Sequence, residues 1–127
     1  MPAQDFIAQL RELGFDAVEA PIAQMPGQPI TRLPYRIPLG SKAGEEIMLA
    51  FLVPSDFNLT CPSGPYIHPH VLPINHTNQP PHGGVTDASH IFGAGWQYWS
   101  RPYSDWANSD RDARAYMRHI AHLFDLI

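Results

Sequence analysis

Ser100 and Arg101 lie inside the stretch Trp96-Gln-Tyr-Trp-Ser-Arg-Pro-Tyr-Ser-Asp-Trp106, which holds all three tryptophans of the chain. Rings of this size normally bury themselves, so a hydroxyl and a guanidinium set among them need a partner or a task. A serine hydroxyl becomes a nucleophile only beside a general base. Imidazole titrates closest to neutrality, which makes His76, His82 and His90 candidate bases. Asp105 is a further candidate, and it is also a neighbouring partner for Arg101. Asn75 or Asn78 would donate a hydrogen bond to the oxyanion formed at an attacked carbonyl. The plainer reading of Ser100 is a turn serine that satisfies a local backbone group.

Cys61 is the other nucleophile. A free thiol, with a pKa near ~8.5, is usable close to neutral pH, but a lone cysteine beside prolines also reads as a small, half-buried filler. One cysteine excludes an internal disulfide framework and suits a reducing compartment. Five of the seven histidines fall between Ile47 and Ser100, where Asp56 and Asp87 are the only formal charges. His68-Pro-His70, His76, His82 and His90, with Asp87 as an oxygen donor, have the ligand types of a zinc site with water in the open position. No His-Glu-x-x-His helix accompanies them, and a His-x-His pair in a loop is a weak signal. No metal or cofactor is therefore expected, and a His-rich zinc hydrolase is a secondary reading. His119 and His122 read as surface or helix-terminus residues.

The elements that must position these groups are legible at both ends of the chain. Phe6, Ile7, Leu10 and Leu13 recur at helical spacing, and Gly14 is a natural stop. Residues 15–20 read as a short strand or an extension. Strands are expected at 30–38 and 46–53, joined by a turn over 40–44. Pro34 and Pro38 confine the first of these to an edge or a bulge. From 54 to 81 the chain reads as mostly irregular, with 67–74 a third strand. Glycines at 83, 84, 93 and 95 bracket 86–90, which turn chemistry explains and which could also move as a flap. A final helix spans 110–127, capped by Ser109 with Asp112 three residues on. Its apolar stripe is Tyr116, Met117, Ile120, Leu123, Phe124 and Ile127. Helix, antiparallel strands, irregular segment, helix is an α+β order in a single domain over 1–127.

Composition bounds the partners. A net charge of −4 offers no basic field for a nucleic-acid backbone. No apolar run approaches the roughly 20 residues that span a bilayer, and the N-terminus lacks a signal-peptide pattern. The expectation is a soluble cytoplasmic domain with no nucleic-acid or membrane partner.

The order of elements and several residues together resemble the ubiquitin-conjugating enzyme fold. Leu52-Val-Pro-Ser-Asp-Phe-Asn-Leu-Thr-Cys-Pro-Ser-Gly-Pro looks like the family's proline-rich segment, with Phe57 in its aromatic place. His68-Pro69 and Pro73-Ile-Asn75 stand where its histidine-proline-asparagine region falls, and Trp106 with the last helix resembles its tryptophan and crossover helix. Gly95-Trp-Gln-Tyr-Trp-Ser-Arg resembles the Gln-x-Trp-Ser-Arg signature of bacterial ubiquitin-conjugating-like proteins. The resemblance implies an N-terminal helix, a four-stranded meander, a long irregular flap region and a crossover helix. It implies a ubiquitin-like protein and a ubiquitin-activating-enzyme-like protein as partners. The family's catalytic cysteine belongs in a flap shortly before the tryptophan, where this chain carries Ser100 and no cysteine. Three readings follow: Ser100 carries the acyl group as an oxyester, assisted by Arg101 and a histidine such as His76 or His90; the fold is a catalytically silent adaptor; or folding brings Cys61 into the site. JAB-type zinc peptidases place a His-x-His before a downstream Asp, but the Ser-x-x-Asp spacing is missing here.

Overall fold

The computed structural model describes residues 2–24, 26–72, 74, 84–101 and 103–126. Helix α1 (Pro2–Glu12) forms where the apolar spacing requires it, and Gly14 follows it with a positive φ of 95°. Strands β1 (Val18–Glu19), β2 (Ile30–Arg36), β3 (Glu46–Leu52) and β4 (Tyr66–His68) run as an antiparallel meander. The chain then adds β5 (Val85–Asp87), a short helix α2 (Ser89–Phe92) and β6 (Gln97–Trp99). Among the described residues the sheet has the order β1-β2-β3-β4-β6-β5. The four expected strands are thus present, and β6 and β5 extend them on the side where an irregular flap region is expected. The segment 86–90 is part of β5 and α2.

Pro34 is accommodated by the shortness of β1. Ile37 N–H donates to the Glu45 carbonyl and Val53 N–H to that of Pro29, so the odd-numbered residues of β2 face β3 for hydrogen bonding. Pro34 therefore lacks its N–H on the outer side, beyond the two residues that β1 covers. Strand β4 ends at His68, ahead of Pro69, and is shorter than the expected 67–74.

Both long helices lie on one face of the sheet. Phe6 from α1, Phe51 from β3 and Tyr116 from α3 (Ala113–Asp125) meet edge to face at 5.0–6.1 Å between ring centroids. Trp99 packs on Phe124 at 5.0 Å. The opposite face carries a smaller apolar cluster of Ile30, Ala50, Tyr66, Ala88 and Trp96. Helix α3 starts at Ala113, later than expected, because Arg111 has a φ of 54° and breaks the helical path. The cap is Asp112, whose carboxylate accepts from Ala115 N–H at 2.9 Å. The Ser109 hydroxyl instead donates to the Trp106 carbonyl and accepts from Arg111 N–H. Five residues of the predicted stripe are buried on this helix, and Ile127 lies outside the described residues.

Gln97 is the buried polar residue around which β6 is built, with 0% of its surface exposed. Its Oε1 accepts from the Val71 and Leu72 N–H groups and from the Trp99 indole, at 2.9–3.1 Å. Its Nε2 donates to the Leu72 carbonyl at 2.8 Å. Gln97→Leu keeps the volume and orphans these groups, each at a cost of about 1–3 kcal/mol. A large fall in the urea midpoint is the expected result; an unchanged midpoint would remove Gln97 as the tie between β6 and residues 71–72.

Candidate functional site

Ser100 follows the last residue of β6, and the two neighbouring chains are glycine where they pass it. Val85 pairs with Trp99 on one side, and Tyr66 with Tyr98 on the other. Extended to Ser100, these registers reach Gly84 on one side and Gly64 on the other. Ser100 N–H donates to the Gly84 carbonyl and Trp99 N–H to that of Pro65, both at 3.0 Å. A Cβ on Gly84 would stand 3.3 Å from Ser100 Cβ and 3.2 Å from Arg101 Nη1. One on Gly64 would run into the Trp99 carbonyl and approach the Tyr98 hydroxyl at 3.3 Å. Gly64 is therefore required by the close approach of β6, while Gly84 is favoured by its φ of 74° and fits tightly beside Ser100.

The Ser100 side chain is exposed, and its hydroxyl makes no hydrogen bond among the described residues. That removes the local-cap reading. Arg101 is half-buried, and its Nη1 donates to the Ser100 carbonyl at 3.2 Å. Burial lowers its pKa, but a guanidinium remains a cation at neutral pH. It sets a positive charge one residue from the hydroxyl.

His119 is the histidine that the sequence reading assigned to the surface and that the structure puts beside this segment. Its Nε2 lies 3.0 Å from the Arg101 carbonyl, a pure acceptor, so this nitrogen carries the proton. The ring stacks on Tyr103 at 4.7 Å with 7° between planes. Burial lowers its pKa and His122 adds to that, while the bond to Arg101 acts in the opposite direction.

Cys61 approaches the same segment from the other side, where the Tyr103 N–H bonds its sulfur. Burial nevertheless pushes the thiol up to about 12, opposite to the shift an activated nucleophile needs. It packs against the core beside Tyr116, whose hydroxyl donates to the Ser63 carbonyl. Cys61 has the surroundings of a filler.

The remaining candidates are dispersed. His90 is on α2, three residues past Asp87, which pairs with Gln97. Gln97 is three residues from Ser100, about 10 Å along a strand that rises ~3.3 Å per residue, so His90 is not brought to the serine. The Ser89 hydroxyl lowers the Asp87 pKa by donating to its carboxylate at 2.6 Å, and His70 and His90 reinforce that shift. His68 stacks on Trp96 at 5.3 Å, while His70 bonds the Trp96 carbonyl through Nε2 at 3.1 Å. No group of three or more His, Cys, Asp or Glu positioned to hold a metal occurs among the described residues. His76, His82, Asn75, Asn78 and Gly83 lie outside the described residues. Asp105 is exposed and leads into the single turn of 3-10 helix at Trp106–Asn108. Trp96, Trp99 and Trp106 are 6%, 1% and 5% exposed, so the tryptophans are core and offer no docking surface. No helix among the described residues is long and apolar enough to cross a membrane.

No protein-family model, curated protein or solved structure matches the chain.

Two solution measurements follow. Cys61 should react with iodoacetamide at pH 8 at least about a hundredfold more slowly than free cysteine, because its thiolate fraction is so small; a normal rate would show an exposed, ionisable thiol. For His119, the unfolded chain takes up the proton near pH ~6.5 and the folded chain only at lower pH. Stability is therefore full above that value and falls as the pH drops below it. His119→Gln should flatten the pH 5–7 segment of the stability curve, and an unaltered slope would exclude His119 as its source.

Proposed function

We propose that this chain is a ubiquitin-conjugating-enzyme-like acyl carrier that uses Ser100 in place of a cysteine. The observation that carries the reading is the exposed, unbonded Ser100 hydroxyl between Gly64 and Gly84, in the Gln-x-Trp-Ser-Arg stretch. Two helices on one face of an antiparallel meander support it as well. Ser100 Oγ attacks the carbonyl of a ubiquitin-like C-terminus held as a thioester on the activating-enzyme-like partner. The serine proton passes to a base, the oxyester bond forms, and the thiolate of the activating enzyme leaves. Attack by an acceptor amine then releases Ser100. The Arg101 guanidinium offers a positive charge to the oxyanion of each step. The single lysine, Lys42, is in the turn after β2, at the Arg36–Glu46 end of the sheet, while Ser100 is at the end marked by Leu52 and Ser63. That placement keeps the chain's own amine away from the ester.

A second reading, a silent adaptor of the same fold, is favoured by one fact: among the described residues no histidine or carboxylate is hydrogen-bonded to Ser100. Intact mass after mixing the chain with ATP, a ubiquitin-like protein and its activating-enzyme-like protein separates the two. The expected product is an adduct that survives thiol reductant, is cleaved by mild hydroxide and disappears in Ser100→Ala. A reductant-labile adduct lost in Cys61→Ala would move the nucleophile to Cys61. No adduct from a charged activating enzyme would overturn the carrier and leave the adaptor.

A further inference from the structure

Three of the chain's eight lysines and arginines line one groove, and among the described residues none of its twelve acidic residues does. In a chain of net charge −4 this local excess runs against the overall balance. The groove has a volume of about 410 Å³ and lies between the residues just after α1, the end of β2 and one side of α3. Helix α3 contributes Arg114, Met117, Arg118 and Ala121, at the three- and four-residue spacing that makes one stripe. Arg36 enters from β2. The floor is apolar. Leu13 and Phe15 are half-buried there, and the Phe15 ring lies 6.1 Å from that of Tyr35.

Arg114 and Arg118 are exposed and make no hydrogen bond or ion pair among the described residues. Arg36 meets Glu46 at 2.7 Å, but the two side chains are 70% and 73% exposed, and a surface pair of this kind holds little of the charge back. Glu12 and Asp112 stand beside Arg114 in the neighbouring cleft. Neither pairs with it, and the Asp112 carboxylate is engaged in capping α3. Arginine stems lie readily along apolar surface with their heads in water. Here they leave two positive heads beside an apolar floor, each with its donor fork open.

We propose that this groove is a docking site for an acidic segment of a partner protein, in which Asp or Glu residues flank a bulky apolar side chain. The apolar side chain settles over Leu13, Phe15 and Met117, whose unbranched thioether adapts to the shape it meets. The carboxylates meet Arg114 and Arg118 in bidentate pairs. Charge complementarity selects the sign of the partner, and the form of the groove selects its class. It is open to solvent, whereas a pocket for a small molecule covers roughly 70–90% of its ligand; a protein segment brings its own cover. The groove shares no residue with the Ser100 segment, and it stands whether or not the chain carries an acyl group.

The test titrates acetylated, amidated pentapeptides with Phe, Leu or Trp between two pairs of Glu into the full chain. NMR follows the Met117 methyl and the Arg114 and Arg118 amides. The expected result is a saturable shift of these signals at about millimolar peptide, weakened about tenfold when Gln replaces every Glu or Ser replaces the central residue. Binding should also weaken as salt rises toward about 0.5 M. The double variant Arg114→Gln, Arg118→Gln, which keeps good helix formers on an exposed face, should lose about tenfold in affinity. Lys42→Gln, which removes a cation outside the groove, should lose none. The wild-type titration decides the matter even if the double variant fails to fold. Signals unmoved by all three acidic peptides, moved equally by the Gln peptides, or moved with unchanged affinity in the double variant would overturn the proposal. Phenylacetate binding as tightly as the peptides would overturn the partner and make the groove a small-acid site.

Discussion

The side-chain amide of Gln97 is the interaction on which the site end of the molecule depends. It lies on the helix-facing side of β6, wholly buried, and satisfies backbone groups of Val71 and Leu72 that no strand pairs. It also receives the indole N–H of Trp99, its neighbour on the same face. Buried polar groups are tolerable when every member is bonded, and this one joins segments 25 residues apart in sequence. With β6 held in this way, Trp99 seats on Phe124 and the chain emerges at Ser100 between two glycines.

β6 therefore does two things at once, because successive side chains leave a strand on opposite faces. Gln97 and Trp99 point into the core under α3. Tyr98 leaves on the other face, where it stacks on Tyr66 at 4.7 Å. Beyond the strand, Arg101 and Tyr103 are held from below by His119, through one hydrogen bond and one stacked ring. A helix facing the core thus controls the backbone immediately after the exposed serine. Cys61 is attached to the same backbone but in surroundings that keep its thiol protonated.

The elements legible in the sequence were those whose apolar residues keep one period. Phe6, Ile7, Leu10 and Leu13 mark α1, and the alternation through Leu33, Tyr35, Leu49 and Phe51 marks β2 and β3. β6 was not legible because its core position is a glutamine, which reads as polar until its bonds to Val71 and Leu72 are seen. The start of α3 is ambiguous in the sequence because Ser109 and Asp112 are both capable caps, and only the left-handed turn at Arg111 decides between them. At the site, Ser100 and Arg101 are adjacent in the chain, so the sequence presents them together. His119 is 18 residues from Arg101 and belongs to a helix whose exposed face also carries Arg114, Arg118 and His122, so nothing local marks it. The glycines that frame Ser100 were visible only as turn formers, since their role depends on pairing across strands.

The division of β6 between its two faces bears on how such chains can be sorted by sequence. The glutamine and tryptophan of Gln97-Tyr-Trp-Ser-Arg101 are architectural, and selection on folding alone would retain them. A chain with the first half of the motif and another residue at 100 would keep the scaffold and lose the hydroxyl. The side chain at 100 lies outside that constraint, so its identity is the part of the stretch that folding leaves open.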